Sequence, residues 1–243
     1  MGWSYDFWKG SFYPATLAAK EFLACYAAQF RTVEVDSTFY RIPRIQTVNE
    51  WREQTPRDFL FSLKFPQVIT HVKMLSDCEE ETRVFLDRVS LLGEKLGALL
   101  LQFPPMFRQQ HVPSLRDYLE SLPDKHRYAV EVRNKSLLSE SVYSLLRDHN
   151  VASAWVDTPK MPLSNELTAD FAYVRWEGDR KTVTGTLGRT ETDRTRDIQA
   201  WADRLKPLLD GGTEVFGYFS KYYSGYPPSD AKTLLEHLRV MED

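Results

Sequence analysis

The sequence predicts an α/β fold, a TIM-type (β/α)8 barrel, from three observations. Seven short apolar runs alternate with segments of helical period. Each run carries a polar or ionisable residue toward the C-terminal end of one alternating face. A chain of 243 residues with 42% hydrophobic content can bury one substantial core. One domain over residues 1–243 is the economical reading, since no linker, internal repeat or low-complexity tract divides the chain.

Met1 to Tyr5, before the loop Asp6 to Pro14, are very short for a strand, so the first of eight strands is expected to be truncated or stunted. Ala15 to Phe30 reads as a helix, with Phe22, Leu23, Tyr26, Ala27 and Phe30 on one apolar stripe. In the run Thr32 to Tyr40, strand alternation puts Val33 and Val35 on one face and Glu34 and Asp36 on the other. A helix over Ile45 to Gln54 leads to the strand Phe59 to Pro66, where Lys64 falls in step with Leu60 and Ser62. The helix Asp77 to Leu92, closed by Gly93, precedes the strand Ala98 to Pro105, with Gln102 in step with Leu100. The helix Ser114 to Leu122, followed by Pro123, leads to Tyr128 to Asn134, where Glu131 and Arg133 follow Ala129. Ser139 to Asn150 reads as helix and Ala152 to Asp157 as strand, with Asp157 in step with Trp155. Thr158 to Asp170 has two prolines and weak periodicity and reads as a loop or short turn. Phe171 to Gly178 aligns Arg175 and Glu177 with Phe171 and Tyr173. The helix Asp193 to Leu209 ends before Gly211-Gly212. The strand Glu214 to Tyr223 then aligns Phe216, Tyr218 and Ser220, and the helix Asp230 to Met241 closes the series.

The 31 basic and 34 acidic residues leave a net charge of -3, without the basic excess of a protein that grips nucleic acid mainly through phosphates. No run approaches the roughly 18 apolar residues of a membrane span, and the first residues lack a signal pattern, so a cytoplasmic protein without membrane contact is expected. Cys25 and Cys78 fall in helical segments with no CxxC spacing and suggest neither a disulfide framework nor a cysteine-rich zinc site. Walker, GxGxxG, GxSxG and HExxH strings are absent.

In a barrel, one face of every strand converges on the axis and the polar residues meet at the C-terminal mouth. Lys64, Arg133 and Arg175 bring cations there, and arginine offers a planar fork for carboxylate or phosphate. Glu34, Glu131 and Asp157 supply acceptors and Gln102 an amide. His71, the only histidine near a predicted strand end, is the group suited to titrate near neutral pH. Tyr5, Tyr40, Phe103, Trp176, Tyr222 and Tyr223 are candidates for an aromatic rim, although alternation can turn Trp176 toward the helices. The expected catalytic set is Glu34, Lys64, His71 and Glu131, and the expected substrate-binding set is Tyr5, Tyr40, Gln102, Arg133, Asp157, Arg175 and Tyr218. The competing reading of the charged residues is an ion-pair network that satisfies itself inside the barrel.

The local strings Gly2-Trp3-Ser4-Tyr5 with Trp8, Gly10 and Phe12-Tyr13-Pro14, then Val33-Glu34 and Ser37-Thr38-Phe39-Tyr40, form a specific series. It continues through Phe61-Ser62-Leu63-Lys64, Ile69-Thr70-His71, Leu101-Gln102-Phe103-Pro104-Pro105, Glu131-Val132-Arg133, Asp157 with Pro159, and Tyr173-Val174-Arg175. Over nearly the whole chain it resembles the YecE-like family, domain of unknown function 72, and the resemblance implies a TIM-type barrel. Members usually carry a Gly-Thr-Ser-Gly-type string before Trp-Ser-Tyr, which agrees with the stunted first strand. This chain departs from the pattern at Asp36, Leu137, Glu177, Ser220 and Lys221, where a different substrate preference or a weakened ancestral activity is the expected consequence.

The resulting expectation is a mouth that binds a small anionic, sugar- or nucleotide-like molecule, with metal-independent acid–base chemistry of hydrolase, lyase or isomerase type. No cofactor is expected. A single magnesium or manganese on Glu34, Glu131 and Asp157 is the one metal reading kept, because a multinuclear zinc site would need more than one histidine. One alternative is a nucleic-acid-processing enzyme or binder distantly resembling endonuclease IV, with Arg108, Arg180, Lys181, Arg189, Arg194 and Lys221 on phosphates. The other is a non-catalytic ligand sensor or scaffold.

Overall fold

The computed structural model describes residues 1–240, so the predicted last helix, Asp230 to Met241, ends outside the described residues. Strands β1 (Thr32–Val35), β2 (Leu60–Lys64), β3 (Leu96–Gln102), β4 (Arg127–Glu131) and β5 (Ala152–Ser153) form one parallel sheet in that order. A second parallel sheet holds β6 (Trp155–Asp157), β7 (Phe171–Trp176) and β8 (Glu214–Phe219). The predicted strand Ala152 to Asp157 is thus divided between two sheets. Ala129 and Val130 of β4 register with Ala152 and Ser153, Ala154 N–H still bonds Val130 O at 2.9 Å, and Trp155 then registers with Val174 of β7. At the other side, Met1 N donates to Phe219 O at 2.7 Å and Gly2 N to Glu34 O at 2.8 Å, so two residues stand between β8 and β1.

Alternation sorts the side chains onto two faces. Val33, Val35, Phe61, Leu63, Leu99, Leu101, Tyr128 and Val130 pack outward in one large cluster with the helices. Ala98, Leu100, Ala129, Ala152, Phe171, Tyr173, Phe216 and Tyr218, drawn from both sheets, meet in a separate inner cluster. Each such leucine or phenylalanine withdrawn from water contributes about 1.5–3 kcal/mol, which fixes the register, because a one-residue slip would exchange the two faces.

The helices are α1 (Phe22–Ala27), α2 (Ser37–Tyr40), α3 (Ile45–Glu53), α4 (Glu79–Val89), α5 (Val112–Ser121), α6 (Glu140–Asp148), α7 (Thr195–Asp210) and α8 (Pro227–Val240). The helix predicted from Ala15 starts only with a tight turn at Ala19–Glu21, because Ala18 is extended and its N–H donates to the Glu21 carboxylate at 3.3 Å. The predicted strand end Ser37 to Tyr40 is instead the helical turn α2. Thr38 Oγ1 lies 3.1 Å from Val35 O and 2.8 Å from Lys64 O, pinning that turn to the ends of β1 and β2. Helix α8 starts ahead of the predicted Asp230 at Pro227-Pro228, where a missing N–H costs nothing. Among the described residues, no helix is long and apolar enough to cross a membrane.

Candidate functional site

The inner face ends in a charged network at the C-terminal ends of the strands. Arg175, from β7, is completely enclosed. Its Nε donates to Glu34 Oε2 and its Nη2 to Glu34 Oε1, both at 2.9 Å, a bidentate pair with β1. Its Nη1 pairs with Glu131 Oε2 of β4 and, at 2.7 Å, with Glu177 Oε1. Tyr173 adds a hydroxyl to Glu34 Oε2 at 2.7 Å. Gln102 Nε2, at 2.7 Å, and Arg133 Nε, at 3.0 Å, donate to Glu131 Oε1. The three carboxylates neutralise a cation that could not otherwise be buried.

Electrostatics keeps the Glu131 and Asp36 carboxyls ionised. Burial alone would raise the Glu131 carboxyl, but Arg175, with Arg133 and Lys64 behind it, outweighs burial and holds it at about 2. Beside it, Lys64 Nζ lies 2.7 Å from Asp36 Oδ1. Burial would raise the Asp36 carboxyl too, yet Lys64 and Arg175 pull it below its ordinary value. His71 stands on a turn at Val68–Val72, its Nδ1 2.9 Å from Thr70 Oγ1 and its ring edge-on to Phe39 at 4.9 Å. Burial, then Arg133 and Lys64, push its pKa below 6.5. The imidazole is therefore neutral at pH 7, with Nε2 unpartnered among the described residues.

Above the network opens a cleft of about 370 Å³, walled by Pro105, Glu131, Arg133, Lys160, Glu177 and Arg180. Both carboxylates in that wall are committed to Arg175. Arg133 is 37% exposed, Lys160 is exposed without an ion-pair partner among the described residues, and Arg180 lies over the Tyr222 ring at 4.7 Å. The surplus charge facing the cleft is positive.

The structure brings Glu34, Lys64, Gln102, Glu131, Arg133, Arg175 and His71 to the same end of the strands. Other predicted site residues depart from that convergence. Asp157 shares the outward face of Trp155, and its Oδ2 accepts from Trp201 Nε1 of α7 at 2.8 Å. Ala152, Ala154 and Val156 are the inward residues of that segment, so Glu34, Glu131 and Asp157 do not surround one point. Tyr218 is buried deeper, its hydroxyl 2.7 Å from Ser62 Oγ and 2.8 Å from Thr32 Oγ1 at the start of β1. Arg175 has its nitrogens occupied and presents no free edge for a ligand, which turns the expected clamp into a positioning residue. Glu34 and Glu131 accept from the surrounding cations, and a carboxylate held near 2 is a feeble base at neutral pH. Tyr40 is 73% exposed on α2, and half-buried Tyr5 packs beside Phe7 and Trp8 with Lys221 over its ring at 5.8 Å. Phe103 is buried and stacked on Phe107, and Trp176 faces Trp201 and Phe219 on the helix side, so neither forms a rim. Tyr223 is likewise buried.

Lys160, Glu177, Tyr173 and Asp36 stand outside the expected catalytic and substrate-binding sets. Alternation already aligns Tyr173 and Glu177 with Arg175 and Asp36 with Glu34, whereas Lys160 sits in a stretch without period. The loop from Asp179 to Arg196, whose Arg180, Lys181, Arg189 and Arg194 belong to the nucleic-acid alternative, is tied down over part of its length. Glu191 accepts from Thr184 N at 2.8 Å and Gly185 N at 2.7 Å, and Arg194 bonds Tyr223 O at 3.2 Å and Asp197 at 3.0 Å.

Comparison with known proteins adds an independent line. Residues 1–243 match the family described as "Protein of unknown function DUF72". The UPF0759 protein YecE of Escherichia coli K12 is 31% identical over 206 residues, covering 74% of this chain and 72% of its own. The UPF0759 protein YunF of Bacillus subtilis is 25% identical, covering 95% of this chain and 91% of its own. A crystal structure of a DUF72 family protein from Thermotoga maritima superposes with a TM-score of 0.82 at 29% identity, covering 100% of this chain and 97% of that one.

Proposed function

This chain belongs to the DUF72 family, and on that premise we propose that its two sheets, with Met1 and Gly2 between β8 and β1, form one TIM-type barrel domain whose mouth binds a small anionic, sugar- or nucleotide-like molecule. The observation that carries this reading is the cleft of about 370 Å³ in which Lys160 and Arg180 have no ion-pair partner among the described residues and Arg133 spends only its Nε, while Glu131 and Glu177 are engaged by Arg175. Arg133 keeps a guanidinium edge for a phosphate or carboxylate, because only its Nε is used on Glu131. The buried ion network holds Arg133 in place through Glu131 and needs no ligand to be complete.

Acid–base chemistry falls to His71, neutral at pH 7 and within the electrostatic reach of Arg133 and Lys64. A neutral imidazole can take a proton from a substrate hydroxyl or carbon, and Lys64 can stabilise the negative charge that results. No step requires a metal. The anionic part of the ligand suits Arg133, and the Thr158 hydroxyl in the cleft wall is a partner for a sugar hydroxyl. Mass spectrometry of molecules retained by the natively purified protein tests this reading. A phosphorylated or carboxylated small molecule lost in Arg133→Ala supports it. Tight nucleic-acid binding that falls steeply with salt and depends on Arg180, Lys181 and Arg189 would replace it with the phosphate-gripping alternative.

A further inference from the structure

Ser224 joins three segments that follow β7 and β8. Its carbonyl accepts from Glu191 N at 2.7 Å and Thr192 N at 3.0 Å, which holds the loop 179–194 against the loop after β8. Its hydroxyl accepts from Tyr226 N at 3.2 Å and donates to Asp230 Oδ2 at 2.6 Å, which adds the first turn of α8. The same two loops carry Arg180, lying over the Tyr222 ring, to the cleft wall.

An ionised Asp230 is poorly supported there. The carboxyl is buried, accepts from Ser224 Oγ, and has no ion-pair partner among the described residues. A carboxylate in the first turn of a helix ordinarily draws on free amides. Here Pro227 and Pro228 have no N–H, and Ser229 N and Asp230 N both donate to Tyr226 O, at 3.0 and 3.3 Å. The nearby cation is engaged elsewhere, since Arg194 gives Nε to Tyr223 O at 3.2 Å and Nη1 to Asp197 of α7 at 3.0 Å. Tyr223 has a buried hydroxyl without a partner among the described residues, kept protonated by its burial and by the carboxylates of Asp157, Asp197 and Asp230. Glu191 is occupied by Thr184 and Gly185. Along α8, Lys232 and Glu236 are exposed and His237 lies about two turns away. Burial therefore pushes the Asp230 carboxyl up to about 7, with Ser224 and Arg194 pulling it only part of the way back.

We propose that Ser224 and Asp230 form a pH-sensitive latch: while Asp230 keeps its proton, α8 and the loops after β7 and β8 are held together, and ionisation of Asp230 loosens them and, with them, the Arg180 wall of the cleft. Opening exposes the carboxyl to water, where its pKa returns to the ordinary 3.8. The closed latch thus holds the proton more tightly than the open one. Opening is favoured as pH rises from about 4, by up to about tenfold per unit, and levels off above about 7. The latch operates whatever the cleft binds, so it does not rest on the anion reading of the mouth.

The test is amide hydrogen exchange of the full chain from about pH 5 to about pH 8, with each rate divided by the intrinsic rate at that pH. Protection of the Glu191 and Thr192 amides is expected to fall by about tenfold or more across that range in the wild type. In Asp230→Asn, whose side-chain oxygen can still accept from Ser224, protection should stay at the wild-type level of the acid end throughout. A second measurement needs no variant: in an NMR titration of the wild type, the Asp230 carboxyl carbon should titrate near 7. Wild-type protection that does not change with pH, or the same fall in Asp230→Asn, would overturn the proposal. So would a carboxyl that titrates below about pH 6, within reach of an ordinary aspartate.

Discussion

Arg175 is held by Glu34, Glu131 and Glu177 with no contact to water, so its removal leaves buried carboxylates facing one another. Arg175→Ala is expected to cost about 3–5 kcal/mol of folding stability, the range for breaking a buried pair, as a shift of the urea midpoint. A loss within about 1 kcal/mol would show that the network is not what holds the inner face together. Much of this network was readable before the structure, because Glu34, Gln102, Glu131 and Arg175 fall on inner faces by simple alternation. Burial was not readable. Alternation says which side chains share a face, but not that Arg175 would be sealed by three carboxylates and lost to any ligand. Lys160 escaped for the opposite reason, since a loop between two prolines has no period to count.

Among the elements, the segment 152–157 shows where period-two reading fails. Ala152 to Asp157 reads as one strand, and the pairing of Asp157 with Trp155 was correct, but the side that faced inward was set by packing. The small residues Ala152 and Ala154 fit the inner cluster, while Trp155 needs the room on the helix side. Asp157 follows it out. The loop after β7 depends on a different local constraint. Gly178 has φ +64°, and a Cβ there would sit 2.1 Å from Tyr222 O. Gly178→Ala is therefore expected to destabilise the protein by more than about 1 kcal/mol and to speed hydrogen exchange through 179–194, since neither backbone nor carbonyl can yield cheaply. Unaltered exchange in that loop would mean that the close approach to Tyr222 does not anchor it.

At the level of the whole molecule, the charged network ties stability to pH. The Glu131 carboxyl is held at about 2 against an ordinary 4.5. The unfolded chain therefore takes up this proton first, and the stabilisation is complete above about pH 4.5, declines as pH falls, and is gone near pH 2. It amounts to about 3 kcal/mol at most. Urea midpoints measured across that window should fall more steeply for the wild type than for Glu131→Gln, and parallel curves would remove Glu131 as the source. The same field reaches His71, whose pKa answers to the charge of Arg133 in the cleft wall. The decisive measurement is the NMR titration of the His71 imidazole, in wild type and Arg133→Ala, alone and with inorganic phosphate, a hexose phosphate or a nucleoside monophosphate. The free wild type should titrate below 6.5, at least one of these anions should raise that pKa by neutralising Arg133, and Arg133→Ala should start higher and respond little. A His71 pKa that none of the anions moves in the wild type would contradict an anion-binding mouth.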